Sequence, residues 1–397
     1  MRLFALLFAL ATCGIVVEAA QPSPRQLQNW LKRFPAADAN GDGKLTPEEA
    51  RAYLSKVRGA QRGDNGGRGA PRTFKVDPGW EKDRFPDHAV TYKSAREILK
   101  LYANQVGEKR ALVSFEKPKD GALRIVGTGH SFMAPGYKTF PLIARAAGME
   151  QPLHTHTGGG ITGSARYKWE QENGIFQFDR KPTPKLLASI ANAEWDAMMW
   201  GPYFNDRPEY YSCWIDFCLK YNPDMKFFLS DAWPQLYQLG EMPKSETFFT
   251  EEIMERMGRE RTEGYRELVG ALREKYGARI FIMPTSDAMV LAAKHFIRGE
   301  LPGIEGMHKA VGGKERSLWR DQLGHLGPGF DRLEGYVFYA TVYGRSPELI
   351  TKEILFRDQD DFPGPALDAI FRKIAWQAVA NNPLSGVRDR NGDGVRD

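Results

Sequence analysis

Apolar positions along most of the chain recur in two alternating rhythms. Runs 123–126, 152–157, 195–200, 226–230 and 278–284 are short and largely apolar, as strands buried in a sheet are. Between and after them, apolar residues spaced three and four apart predict helices over 94–106, 132–149, 183–192, 209–221, 246–276, 286–298, 330–343 and 366–381. Alternation of this kind implies an α/β fold: a parallel sheet sandwiched by helices through right-handed crossovers. Ligands then gather at the carboxyl ends of the strands. The long pattern 246–276, rich in Glu and Arg, reads as a solvated helix or a lid insertion.

The first part of the chain keeps a different pattern. Arg2, an apolar run over 3–17 and small residues around Val17-Glu-Ala19 have the form of a secretory signal covering 1–19. Glu18 interrupts that run before the roughly 20 apolar residues a membrane span needs. Leu10-Ala-Thr-Cys13 only approximates a lipid-attachment site, so the expectation is a secreted or periplasmic protein without a lipid anchor or transmembrane segment. Residues 24–58 follow as two short helices around a polar loop, with Leu27, Trp30, Leu31 and Phe34 on the first helical face. Residues 59–72 hold five glycines and no large apolar side chain, which predicts a flexible linker. The main domain is expected over 73–385.

Composition changes this picture little. The chain has 397 residues, 42% hydrophobic and 26% charged, as in a globular protein with room for one large and one small domain. Its 55 basic and 50 acidic residues are interspersed, with a net charge of +5 and no basic block, which argues against nucleic-acid binding. Cys13 falls in the signal. Cys213 and Cys218, five apart on a helix, stand about 140° apart around its axis, so they read as two buried thiols rather than a disulfide.

Candidate chemistry begins with Asp38-Ala-Asn-Gly-Asp-Gly-Lys-Leu-Thr-Pro-Glu-Glu49. It resembles an EF-hand calcium loop. The resemblance assigns oxygens of Asp38, Asn40 and Asp42, the carbonyl of Lys44, Thr46 and the carboxylate of Glu49 to the ion, with Gly43 at the sharp turn. The extreme C-terminus, Asp389-Arg-Asn-Gly-Asp-Gly-Val-Arg-Asp397, repeats the loop's first half and ends before any bidentate glutamate. Its readings are a weak calcium loop through Asp389, Asn391 and Asp393, a partner for the N-terminal loop, and a solvated acidic tail.

In the main domain the run 123–126 stops at Gly-Thr-Gly-His-Ser131, with a helical pattern directly after. Strand, glycine turn, serine and helix is how an α/β enzyme lifts a hydroxyl to the edge of its sheet. Ser131 also suits a helix cap. A nucleophile needs a base, and His325 with Asp321 just upstream supplies a candidate pair. Here the chain resembles the SGNH (GDSL-like) hydrolase family, esterases on a flavodoxin-like sheet. Gly129-His-Ser-Phe132, Gly158-Gly-Gly160, Asn205 and His325, in that order, are similar to that family's blocks. The resemblance implies an ester hydrolase with Ser131, His325 and Asp321 catalytic, and with Gly159, Gly160 and Asn205 donating to the oxyanion. It implies no cofactor for the ester chemistry.

Three features depart from the family pattern. His130 stands where aspartate or asparagine is usual, Asn205 sits in a Tyr-Phe-Asn-Asp context, and three residues separate Asp321 from His325 instead of two. Asp331 or a backbone carbonyl is the alternative partner for the imidazole. His154 and His156 share one strand face and line the substrate cleft or, with His130, form a metallohydrolase centre. A third class is a calcium-dependent adhesion protein that hydrolyses nothing. The aromatic residues Trp169, Trp195, Trp200, Tyr203, Phe204, Tyr210, Tyr211, Trp214 and Trp233 read mainly as core. Those beside Asn205 suit stacking on a sugar ring, so the expected substrate is a small-molecule or carbohydrate ester.

Overall fold

The computed structural model describes residues 93–157, 186–201, 208–356 and 362–397, the stretch 37–46, and single positions at 27, 31, 48, 49, 52 and 167. The predicted signal over 1–19, the linker over 59–72, and Gly159, Gly160 and Asn205 lie outside the described residues. The chain divides into two units, Met1–Thr73 and Phe74–Asp397.

In the larger unit the described strands are β1 (Ile125–Gly129), β2 (Leu153–Thr157), β3 (Ala197–Trp200), β4 (Lys226–Ser230) and β5 (Ile280–Met283). They form one sheet in the order β2-β1-β3-β4-β5, every pair parallel. This is the flavodoxin-like order, and its switch point lies between β1 and β3, where the chain leaves for one side of the sheet and returns to the other. Alternation along the strands assigns the core. Ile125, Ala197, Met199, Phe228 and Met283 enter one apolar cluster, while Val126, Met198, Phe227, Leu229, Ile280 and Ile282 enter a second.

Helices cover both faces. The first cluster is closed by α2 (Ala134–Ala146), α6 (Thr285–Ile297), α7 (Phe330–Tyr343) and α8 (Gly364–Asn381). The second is closed by α1 (Ala95–Val106), α3 (Leu186–Asn192), α4 (Pro208–Tyr221) and α5 (Glu251–Tyr276). Cys213 and Cys218 are buried in α4 and form no disulfide with each other. Trp195, Trp200, Tyr211, Trp214 and Trp233 are all buried, so none of these five offers a platform to a sugar. Among the described residues no helix is long and apolar enough to cross a membrane.

Three expectations change. The strand does not stop at the glycines: β1 runs through Gly127 and Gly129, because a Cβ at Gly127 would lie 2.6 Å from the Tyr137 hydroxyl and the open face there admits that ring. The charged helix is not a lid. Met254, Met257, Tyr265, Leu268, Val269 and Leu272 give α5 one buried stripe at three- and four-residue spacing, which packs it into the α/β layer. Finally, β6 (Gly306–His308) and β7 (Ser317–Trp319) form a separate two-stranded parallel sheet with no counterpart in the sequence reading. Three residues per strand are too few for a period to register.

A buried acid pair joins β4 to α6. Asp231 follows β4 and accepts from the Ser286 amide at 2.9 Å and the Thr285 hydroxyl at 3.1 Å. Burial first, and the neighbouring Asp287 charge second, push the Asp231 carboxyl up to about 8. In the folded chain it therefore keeps a proton that the unfolded chain releases at its ordinary value near 4. The folded state binds the extra proton between those limits, so stability falls as pH rises from about 4 to 8. Asp231→Asn is expected to flatten that slope. Melting both proteins at pH 5 and pH 8 checks it, and an equal drop in Tm would refute it.

The two calcium-loop candidates share one backbone construction. In the N-terminal loop the amides of Gly41 and Gly43 bond the two Asp38 carboxylate oxygens at 2.8 and 2.9 Å. The Asp42 and Lys44 amides bond Asn40 Oδ1 and Asp42 Oδ1. In the C-terminal loop Gly392 and Gly394 bond Asp389, Asp393 bonds Asn391, and Val395 bonds Asp393, position for position. Gly41 and Gly43 have φ of +73° and +77°, Gly392 and Gly394 +75° and +79°. The C-terminal loop is not a loose tail: Trp376 bonds Asp389, and residues 344–346 pair with Gly394, Val395 and Arg396.

Candidate active site

The site starts at the carboxyl end of β1, at the switch point. Gly129 ends the strand with φ +144°, and a Cβ there would stand 2.7 Å from the Met133 side chain. Glycine is required twice over, by conformation and by contact. The turn His130–Met133 closes with a 3.0 Å bond from the Met133 amide to the His130 carbonyl. It leaves Ser131 exposed at the turn while Phe132 and Met133 are buried.

Helix α2 follows without a local cap, since Met133 offers no side-chain oxygen. The missing acceptor comes from α7, where Glu334 Oε2 accepts from the Gly136 amide at 2.7 Å. Burial pushes the Glu334 carboxyl well above the usual carboxylate range. Thr139 of α2 likewise donates to the Asp331 carbonyl of α7 at 2.7 Å. The helix behind the serine and the helix behind the histidine are thus bonded to each other, which fixes the spacing of what precedes them.

His325 arrives on a loop hung from β7. Trp319 and Leu326 form an antiparallel bridge, and the Arg320 amide donates to the His325 carbonyl at 2.8 Å. Inside this hairpin the Gly324 amide bonds the Asp321 carbonyl at 2.9 Å, with Gly324 at φ +80°. The Asp321 carboxylate bonds the amides of Leu323 at 3.1 Å and His325 at 3.2 Å. The extra residue between Asp321 and His325 is absorbed by that turn.

The three side chains converge. His325 Nε2 lies 2.7 Å from Ser131 Oγ, and His325 Nδ1 lies 2.8 and 3.0 Å from the two Asp321 oxygens. A carboxylate accepts only, so Nδ1 carries the proton, and the bare Nε2 accepts from the serine hydroxyl. Burial raises the Asp321 carboxyl, but the hydrogen bonds and charge of His325 outweigh it and hold the group below its ordinary value. Phe132 meets the imidazole edge-on, with centroids 5.2 Å apart at 90°. The arrangement can take a proton from Ser131 and hold the resulting imidazolium against a carboxylate.

Other candidates fall elsewhere. Asp331 lies in the first turn of α7, and the contact to the imidazole is made by Asp321. His154 and His156 share β2, His154 stacking on Trp195 with centroids 6.3 Å apart. Among the described residues no three His, Cys, Asp or Glu side chains gather in a way that could hold a metal ion. In both loops the Asp and Asn oxygens engage the loop's own amides, as above. Sequence reasoning placed Trp233 in the core and missed its part in the site. Its indole donates to the Gly324 carbonyl beside His325. The available signal was its position three residues past the carboxyl end of a strand.

No family model matches the chain, and no curated protein matches it. Similar chains occur among solved structures. A candidate SGNH hydrolase from Slackia heliotrinireducens is 16% identical, with 56% of this chain and 100% of that one covered and a TM-score of 0.34. A DUF4886 family protein from Bacteroides uniformis is 11% identical, covering 65% of this chain and 95% of its own, with a TM-score of 0.43. The periplasmic domain of a lipopolysaccharide acetyltransferase from Salmonella ser. Paratyphi A is 11% identical, at 62% and 95% coverage and a TM-score of 0.29. The chain's neighbours in structure are therefore SGNH hydrolase-like and DUF4886 proteins.

Proposed function

We propose that this protein is a serine esterase that cleaves acyl esters through Ser131, His325 and Asp321. The observation that carries the reading is the continuous chain of contacts, 2.7 Å from Ser131 Oγ to His325 Nε2 and 2.8 Å from His325 Nδ1 to Asp321. Ser131 Oγ attacks the ester carbonyl as His325 Nε2 takes its proton. The imidazolium then returns that proton to the departing alkoxide, leaving an acyl-serine. Water, deprotonated by His325, attacks the acyl carbon and releases the acid and the free serine. The family resemblance assigns the oxyanion to the Ser131 amide, an amide of Gly159 or Gly160, and the Asn205 side chain. Losing one such donor typically slows turnover about 10²–10³-fold, which is the effect expected of Asn205→Ala. A small-molecule or carbohydrate ester is the proposed substrate, and export through the N-terminal signal is part of the same reading.

The reading includes calcium in both loops. Their donors are oxygen only, and their glycines hold the turns that such a loop needs, so their chemistry suits a hard divalent cation once the oxygens turn from the loop's own amides to the ion. Asp38, Asn40, Asp42, the Lys44 carbonyl and Glu49 would hold one ion. Asp389, Asn391 and Asp393 would hold the second more weakly. Calorimetric titration of the whole chain with calcium is expected to give a tight and a weak event. Asp38→Ala should remove the first and Asp389→Ala the second. A titration without heat, with Tm unchanged by calcium, would refute the assignment.

A further inference from the structure

We propose that Trp233 is a positioning residue that keeps the nucleophile and its base in register; the proposal rests on the esterase reading above. Trp233 belongs to neither of the two supports described for the site. It follows β4, three residues beyond Ser230, and its side chain is fully buried. The chain reaches it through Ala232 at φ +50°, a left-handed conformation that a residue with a Cβ rarely adopts. That turn sends the indole inward, where its neighbours include one carbonyl and one ring beside the site. Its Nε1–H donates to the carbonyl of Gly324, the residue directly before His325. Its ring lies against Phe132, the residue directly after Ser131, with centroids 4.8 Å apart at 32°.

Phe132 also meets the His325 ring edge-on. Indole and imidazole therefore bracket one phenyl ring, and the three rings link the serine turn to the histidine loop. Volume filling alone does not explain the polar half of this arrangement. The hydrogen bonds of the Asp321 carbonyl, the His325 carbonyl and the Asp321 carboxylate stay inside the loop. The Gly324 carbonyl instead takes its donor from outside, from the segment that follows β4 of the main sheet. A displacement of the histidine loop relative to Ser131 must break that bond or move Phe132. Trp233 acts through these neighbours and touches no reacting atom.

The test separates the N–H from the ring. Trp233→Phe removes both the donor and part of the volume, while biosynthetic replacement of Trp233 by β-(3-benzothienyl)alanine keeps the shape and removes only the N–H. Both proteins, with wild type and Ser131→Ala as references, are assayed on p-nitrophenyl acetate for kcat and KM, labelled with a fluorophosphonate, and melted. The expected result is a fall in kcat and in labelling rate on the order of 10–100-fold, with KM nearly unchanged and the benzothienyl protein melting close to wild type. Phe132→Leu should give a similar loss, and combining it with Trp233→Phe should add less than the product of the two. Wild-type kcat in the benzothienyl protein, or a change in KM alone, would overturn the positioning role while Ser131→Ala remained inactive. Full activity in Ser131→Ala would instead overturn the esterase reading. If Trp233→Phe does not fold, the benzothienyl protein decides.

Discussion

Alanine at position 131 is expected to lower kcat for an activated acetyl ester by roughly 10⁴–10⁶-fold, as nucleophile removal does where serine and histidine act as a unit. His325→Ala should cost a similar factor, and the double variant little more than either alone, because each single change already breaks the 2.7 Å relay. Tm should hardly move, since Ser131 is exposed and caps no helix: the helix behind it takes its cap from Glu334. Fluorophosphonate labelling should follow kcat and vanish in Ser131→Ala. Labelling that persisted in that variant would place the reactive serine elsewhere. Unchanged ester turnover would end the hydrolase assignment.

The second large effect is expected far from any reacting atom, at Gly335 on α7. A Cβ built there stands 2.2 Å from Thr139 Oγ1 and 2.8 Å from Ile143 Cδ1 of α2. Gly136 mirrors it on α2, with a Cβ 2.3 Å from the Phe338 ring of α7. The two helices therefore touch backbone to side chain in both directions. Forcing extra carbon atoms into such a contact costs about 1–3 kcal/mol or more. Replacing helical glycine by alanine regains up to about 1 kcal/mol of helix propensity, which blunts the test. Gly335→Val regains less and adds more volume, so it is the better probe. Tm should fall by several degrees, and kcat should fall as well, because α2 carries the serine turn and α7 follows the histidine loop. A variant with wild-type Tm and kcat would show that the helix contact does not set the site.

Much of this was legible in the residues, for physical reasons that can be named. Strand–helix alternation is strong where both faces of a strand are buried, and β4 and α7 fall on their predicted bounds. The serine turn announces itself because glycine is needed beside it. What failed to register lacked a local signal. The end of β1 was misplaced because Gly127 and Gly129, which look like a turn, are strand residues left bare for Tyr137 and Met133. Helix α5 looked solvated because its charged faces outnumber the single stripe it buries. The support for the histidine loop consists of two three-residue strands separated by a segment that opens with the four-residue helix Lys309–Gly312, and only tertiary contact defines it. Trp233 is ordinary in composition; its role comes from which carbonyl its N–H reaches.

The Asp321 carboxylate has two sets of bonds, one to the imidazole and one to the amides of Leu323 and His325. Oδ1 belongs to both sets, so one oxygen templates the shape of the loop and, together with Oδ2, polarises the base it carries. Asp321→Asn keeps a side-chain oxygen that can accept from both backbone amides while it removes the charge, whereas Asp321→Ala removes scaffold and charge together. Comparing the two variants in Tm and in kcat separates the acid's part in the shape of the loop from its part in polarising the base.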